Sequence, residues 1–283
     1  MYTDCHTHVL PPKRLGKLME WMHRAYPHQG VAADITPDEA VAELRRNGAV
    51  RWANLLFPIW ENEAPSLHEW GAEMAERHPE MTPFGGVLAD DPDPLGVVQE
   101  AIEDYSMAGL KFHPFVQRTM PWDPRLAPVL DYLERGRKPV YVHTGYEQWY
   151  GLDFDYPSLE TMIADHPELP VVLPHIGYPD FEWAYRLAAA HDNVWLDVTN
   201  VAGSIVLIDQ DDPERRRLAE LFRDGVSRLK GRIMFGTDHP AGMGPIEVIF
   251  AGLDRLDVPE GDREALVMTT AASFFDRYGR PRP

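Results

Sequence analysis

Asp4-Cys5-His6-Thr7-His8 places three ionisable side chains at alternate positions near the start of the chain. Alternate residues of a β-strand share a face, so Asp4, His6 and His8 project together. Burying three such groups is costly unless they are paired, hydrogen-bonded or bound to a metal. A His-x-His pair offers two imidazole nitrogens to one cation. Comparable polar residues follow short apolar runs further on: Lys111 and His113 in GLKFHP, His143 in VHTG, His175 in LPHIG, and Asp238 with His239 in FGTDHP. Neutral imidazoles with a carboxylate suit Zn²⁺ best, and Fe, Mn and Ni less well.

The elements that must carry these residues alternate regularly. Strands are expected at about 2–9, 50–57, 82–88, 109–113, 139–144, 171–175, 193–198 and 232–237, as short apolar or β-branched runs bounded by Gly, Pro, Asn or Asp. Helical patterns lie between them, at about 66–77, 94–107, 124–135, 157–165, 181–191, 214–229 and 245–256, with a closing helix at about 261–277. The clearest spans 36–47, where Thr36 suits an N-cap, Pro37 the first turn, Glu39 a capping box and Gly48 a stop. Strand–helix alternation implies parallel pairing with right-handed crossovers. Eight such units predict an α/β fold, a single (β/α)8 TIM barrel over residues 1–283, close to the ~250 residues typical of that fold. An open doubly wound sheet would call for a Gly-rich turn after the first strand, and none is present.

In a barrel, His6, His8, His143, His175 and Asp238 all stand at the C-terminal mouth, where active sites lie. Unrelated core or loop histidines would not follow strand ends in this way. Three long connections, 9–35, 145–156 and 199–213, leave from the same face and are expected to wall the site. The second is aromatic, with Tyr146, Trp149, Tyr150, Phe154 and Tyr156; Trp60, Phe115 and Trp122 follow other strands. Such rings can stack on a planar substrate or pack on one another.

A formal charge of −18 repels phosphate backbones and argues against nucleic acid as a partner. One cysteine, Cys5, forbids an intrachain disulfide. The first residues lack the pattern of a signal peptide, and no run of ~20 apolar residues could span a membrane. A cytoplasmic protein acting on a small molecule is the expectation.

The combination of Asp-x-His-x-His, GLKFHP, VHTG, LPHIG and FGTDHP resembles the amidohydrolase superfamily. More narrowly, it resembles the amidohydrolase-related branch that includes aminocarboxymuconate-semialdehyde decarboxylase and related metal-dependent hydrolases. The likeness runs from Asp4 to the closing helix near Ala271 and Ala272. It implies that His6, His8, His143 and Asp238 ligate a divalent metal, most simply one Zn²⁺. It also implies that His175 orients or deprotonates a water whose pKa the metal lowers toward ~7. Binuclear relatives carry a carboxylated lysine on strand four, so Lys111 could bridge a second metal held by His143 and His175. As an ordinary ammonium it would instead pair with Asp4, Asp238 or a substrate carboxylate. Many relatives form dimers, and the acidic surface neither favours nor forbids a homodimer.

The remaining residues divide by position. His113 is expected to hydrogen-bond the substrate or leaving group, or else to pack against the neighbouring strand end. Lys111, Arg118 and Trp149 are candidates to bind substrate, although a solvated surface position is the simpler reading of Arg118. His239 should point away from Asp238. Asp4 should hold a ligand histidine or meet Lys111, and Cys5 should face away from the metal. His23, His28, His68, His78, His166 and His191 read as surface, and Arg215-Arg216-Arg217 as an exposed helix start. The function expected is a metal-dependent hydrolase in which a metal-activated water, His175 and Asp238 act on a lactone, an amide or a C–C bond. The alternative is a nonoxidative decarboxylase of a small unsaturated or aromatic acid. A noncatalytic binding protein with a relict site is a third reading, which the intact ligand set disfavours.

Overall fold

The computed structural model describes residues 1–279. Among the described residues eight strands form: β1 Tyr2–Thr7, β2 Ala49–Leu55, β3 Met81–Phe84, β4 Leu110–Phe112, β5 Val140–Val142, β6 Val171–Pro174, β7 Val194–Asp197 and β8 Ile233–Met234. Each overlaps an expected run; β2 and β3 begin one residue before theirs, and several strands end earlier than expected. β1 stops at Thr7, β3 at Phe84 and β8 at Met234. His6 still lies within β1, whereas His8, His175 and Asp238 stand beyond the ends of their strands, where the backbone has left the pleat. Asp238 and His175 accordingly sit at positive φ, 60° and 63°, values uncommon outside glycine.

The expected helices form with their caps. Thr36 accepts from Glu39 N–H while the Glu39 carboxylate accepts from Thr36 N–H, completing the capping box of Pro37–Arg46. Asp93, Asp155, Asp180 and Asp212 cap later helices by accepting from backbone N–H groups of the first turn. Part of the acidic charge is thus spent on helix starts. The connections expected as loops carry helices of their own: the 14-residue Pro12–Ala25 in the first, and the short Glu147–Tyr150 and Val201–Leu207 in the others.

The chain divides into two compact units, Met1–Asn54 with Asp197–Ala272, and Leu55–Leu196 with the segment from Ser273. In the first, β1 runs parallel to β2, pairing Tyr2 with Ala49, Asp4 with Trp52 and Thr7 with Asn54. On its other side β1 meets the last strand: Cys5 N–H donates to Phe235 O at 2.9 Å and Asp238 N–H to His6 O at 2.8 Å. Val198 N–H in turn donates to Met234 O at 3.0 Å. In the second unit, β4 pairs with β5 and β5 with β6, all parallel, and Gly85 bridges to Leu110. A first strand flanked by the second and the last is what a closed barrel needs, whereas a doubly wound sheet sets it elsewhere. The fold is the (β/α)8 barrel. Among the described residues no helix is long and apolar enough to cross a membrane.

Candidate metal centre

The His-x-His pair on β1 does what alternation predicts. His6 Nε2 and His8 Nε2 lie 3.1 Å apart. Asp238 Oδ1 stands 3.4 Å from the first and 3.2 Å from the second. His6 is fully buried and His8 nearly so. A cation bound ~2.0–2.1 Å from three such atoms in a tetrahedral shell holds them ~3.3 Å apart. The three edges of this triangle fit that spacing, so His6, His8 and Asp238 could hold one metal ion.

Neighbouring groups fix these side chains. Asp197, at the end of β7, takes His6 Nδ1 on Oδ2 at 2.6 Å. Its other oxygen accepts from Thr199 N–H at 2.8 Å and from the Thr199 hydroxyl. A carboxylate on the far nitrogen of a ligand imidazole sets its tautomer and orientation. Asp238 Oδ2 accepts from Asn200 Nδ2 at 2.7 Å, which turns Oδ1 toward the histidines. Asn200 sits at φ 65°, a conformation asparagine tolerates.

Asp4 does not meet a ligand side chain. It accepts from His6 N–H at 3.0 Å, Thr237 N–H at 3.0 Å and Thr237 Oγ1 at 2.6 Å, fastening β1 to the chain after β8. Burial raises its carboxyl to about 7, the Thr237 and His6 donors pull it back down, and Asp197 adds to the rise. Cys5 is buried, and burial, then Asp197 and Asp4, push its thiol well up, which leaves it inert. His239 is buried beside Glu43 at 3.7 Å, away from the triangle. Burial lowers it to about 4, with Ala40 raising it and Arg46 lowering it slightly.

The second unit gathers the other strand-end histidines. His113, after β4, stacks on His143, after β5, with ring centroids 3.8 Å apart and planes 15° apart. His143 meets His175 edge-on at 4.5 Å. The Tyr150 hydroxyl lies 3.3 Å from His113 Nε2, and the Tyr150 ring stacks on Phe115 at 5.0 Å. Tyr146 stacks on Tyr178 and meets His175. Phe154 packs among Phe115, Trp122 and Tyr156. The aromatic connection is therefore largely a packed wall. Lys111 is fully buried in β4, whereas Arg118 is exposed and Trp149 is 47% exposed.

Two expectations are corrected. His68 is not a surface residue: it is fully buried, with Nε2 against Gly86 O at 3.0 Å and Gly86 N at 3.2 Å. The helix Ala64–Arg77 turns it inward onto the chain after β3, a long-range pairing invisible in local pattern. Of the other histidines read as surface, His28 is exposed, while His23, His78, His166 and His191 are half-buried. The sequence did not single out Asp197, Thr199 and Asn200, which the structure sets beside His6 and Asp238. The available signal was a carboxylate at a strand end, in NVWLDVTN.

The profile of the amidohydrolase family matches residues 3–277. No protein of curated function matches the sequence. Among solved structures, an uncharacterised TIM-barrel protein from Bordetella bronchiseptica is similar with a TM-score of 0.76 at 19% identity, over 98% of this chain and 99% of that one. A 5-carboxyvanillate decarboxylase from Novosphingobium aromaticivorans, complexed with manganese and 4-hydroxy-3-methoxy-5-nitrobenzoic acid, gives 0.65 at 14% identity over 97% and 96%. A probable 2-pyrone-4,6-dicarboxylic acid hydrolase from Acinetobacter baumannii with citric acid bound gives 0.66 at 11% identity over 97% and 99%. Identities this low speak for the barrel alone, but the family profile spans nearly all of the chain, ligand strands included, and this protein belongs to the amidohydrolase family.

Proposed function

We propose that this chain is a metal-dependent hydrolase that acts on a small carbonyl substrate, a lactone, an amide or an activated C–C bond. The observation that carries the proposal is the triangle of His6 Nε2, His8 Nε2 and Asp238 Oδ1, sized for one divalent cation. Two imidazoles and a carboxylate favour Zn²⁺, with Mn²⁺ the alternative raised by the manganese-bound decarboxylase. His143 is assigned as the further ligand on the family resemblance, with a second metal on a carboxylated Lys111 as the competing count. A divalent cation bound there would supply a water of lowered pKa and polarise a carbonyl oxygen.

The chain's own residues then have separable tasks. Asp238 has one oxygen among the histidines and the other held by Asn200, so it is oriented to take a proton from water and pass it to a leaving group. His175 is proposed to share the deprotonation of that water. His113, braced by His143 and Tyr150, is proposed to donate to the substrate oxygen that becomes negative. Lys111, Arg118 and Trp149 are proposed to hold substrate. The second reading, a nonoxidative decarboxylase of an aromatic acid, is favoured by the ring-rich wall of Phe115, Tyr150 and Phe154 and by the fold shared with 5-carboxyvanillate decarboxylase.

The test is to load the protein with Zn²⁺ or Mn²⁺ and offer small lactones, amides and aromatic carboxylates, reading acid release against CO₂. Acid release supports the hydrolase and CO₂ the decarboxylase. Failure to retain a divalent metal would overturn both. His175→Ala with full turnover and full metal content would remove His175 from the mechanism.

A further inference from the structure

We infer that Asp197 is a positioning residue that locks His6 in the tautomer able to bind metal, with Thr199 fixing which face Asp197 presents. This rests on the proposed metal site and adds a residue to it. Asp197 is fully buried, and its two oxygens are divided between two neighbours. Oδ2 takes His6 Nδ1 at 2.6 Å; Oδ1 takes Thr199 N–H at 2.8 Å and the Thr199 hydroxyl. The Cys5 thiol also bonds to this carboxylate. A carboxylate only accepts hydrogen bonds, so the proton between it and His6 sits on Nδ1. Nε2 is then left with its lone pair, directed toward His8 Nε2 and Asp238 Oδ1. A metal can be bound only through such a bare nitrogen.

The arrangement makes an unusual demand on substitutions. In Asp197→Asn the amide is not free to choose its orientation. Thr199 N–H can only donate, so it keeps the amide oxygen on its own side. The amide NH₂ must then face His6 Nδ1 and donate to it. His6 is driven to carry its proton on Nε2, where His8 Nε2 and Asp238 Oδ1 are ready to accept it. The near-isosteric Asn is therefore a tautomer trap. Asp197→Ala only removes the constraint and leaves both tautomers accessible.

The expected order of metal affinity is wild type, then Asp197→Ala, then Asp197→Asn. The fall from wild type to Ala should be about 10–100-fold, the usual effect of losing a group behind a metal ligand. A merely structural Asp197 gives the reverse order of the two variants, because Asn preserves volume and polarity while Ala leaves a cavity. The experiment measures Zn²⁺ affinity by competition with a chelating dye for all three proteins. It also records ¹⁵N spectra of the metal-free, histidine-labelled protein, with His6 assigned by its loss in His6→Gln. Wild-type His6 protonated at Nδ1, together with Asn binding more weakly than Ala, supports the inference. Asn binding as tightly as Ala or more tightly, or wild-type His6 protonated at Nε2, overturns it. Should Asp197→Asn fail to fold, the wild-type spectrum alone decides. If wild type itself binds no Zn²⁺, the proposed function falls, while the tautomer of His6 is still read independently.

Discussion

Gly236, between β8 and Asp238, leaves little room beside the proposed metal ligand His6. A methyl group there would overlap Thr199 Oγ1, sit 2.6 Å from His6 Cβ and lie 3.1 Å from His6 N. Carbon atoms rest in contact at ~3.5–4.0 Å, so Gly236→Ala requires β1 and the chain after β8 to part by ~1 Å. Neither His6 Cβ nor His6 N can swing away, since both move only with the strand. Overpacking of this kind should cost ~1–3 kcal/mol of stability. The centre should suffer more, because a metal site tolerates ligand displacements of only about ±0.2 Å. His6 would shift relative to Asp238 and Asp197 together, and Zn²⁺ affinity should fall by about 10–100-fold or more. The assays are urea unfolding and competition with a chelating dye. Gly16→Ala is the control: in the helix Pro12–Ala25 an added Cβ meets nothing within 4 Å. It should leave metal binding alone and raise stability by ~0.5–1 kcal/mol. Wild-type metal affinity in folded Gly236→Ala would refute the idea that this contact sets the ligand geometry.

His68 gives stability a pH dependence. Burial lowers its pKa from 6.5 to about 4, partly offset by the Gly86 carbonyl. The unfolded chain therefore binds the extra proton first as pH falls: the stability is fully present above about 6.5 and drains away toward 4. Roughly 2 kcal/mol of unfolding free energy should be lost from this residue between pH 7 and pH 5; urea titrations of wild type and His68→Gln that fall in parallel would contradict this. Tyr150→Phe removes the hydroxyl 3.3 Å from His113 Nε2 and should slow turnover by up to ~10-fold at unchanged metal content, as expected for a hydrogen bond worth ~0.5–1.5 kcal/mol. Unchanged turnover, or loss of metal measured by elemental analysis, would show that Tyr150 does not act through His113.

Local pattern carried far in this chain. Strand–helix alternation is written in short apolar runs and capping residues such as Thr36 and Asp93, whose effects reach only a few residues, so eight strands and their helices were legible in order. The pairing of His6 with His8 was legible too, because the pleat puts alternate side chains on one face whatever surrounds the strand. The place of Asp238 followed from its position at a strand end. What the tertiary structure alone decided is who stands behind these residues. His6 and Asp197 are 191 residues apart, Asp4 and Thr237 are 233 apart, and nothing in either segment names the other. His68 looked like one more polar residue on a helix until the chain after β3 closed over it. Nothing around Gly236 in the sequence marks the close approach of His6 and Thr199 to it. Periodicity fixes which way a side chain points from its own strand; the partner it meets there depends on how distant strands are set side by side, and that is decided only when the whole sheet has packed.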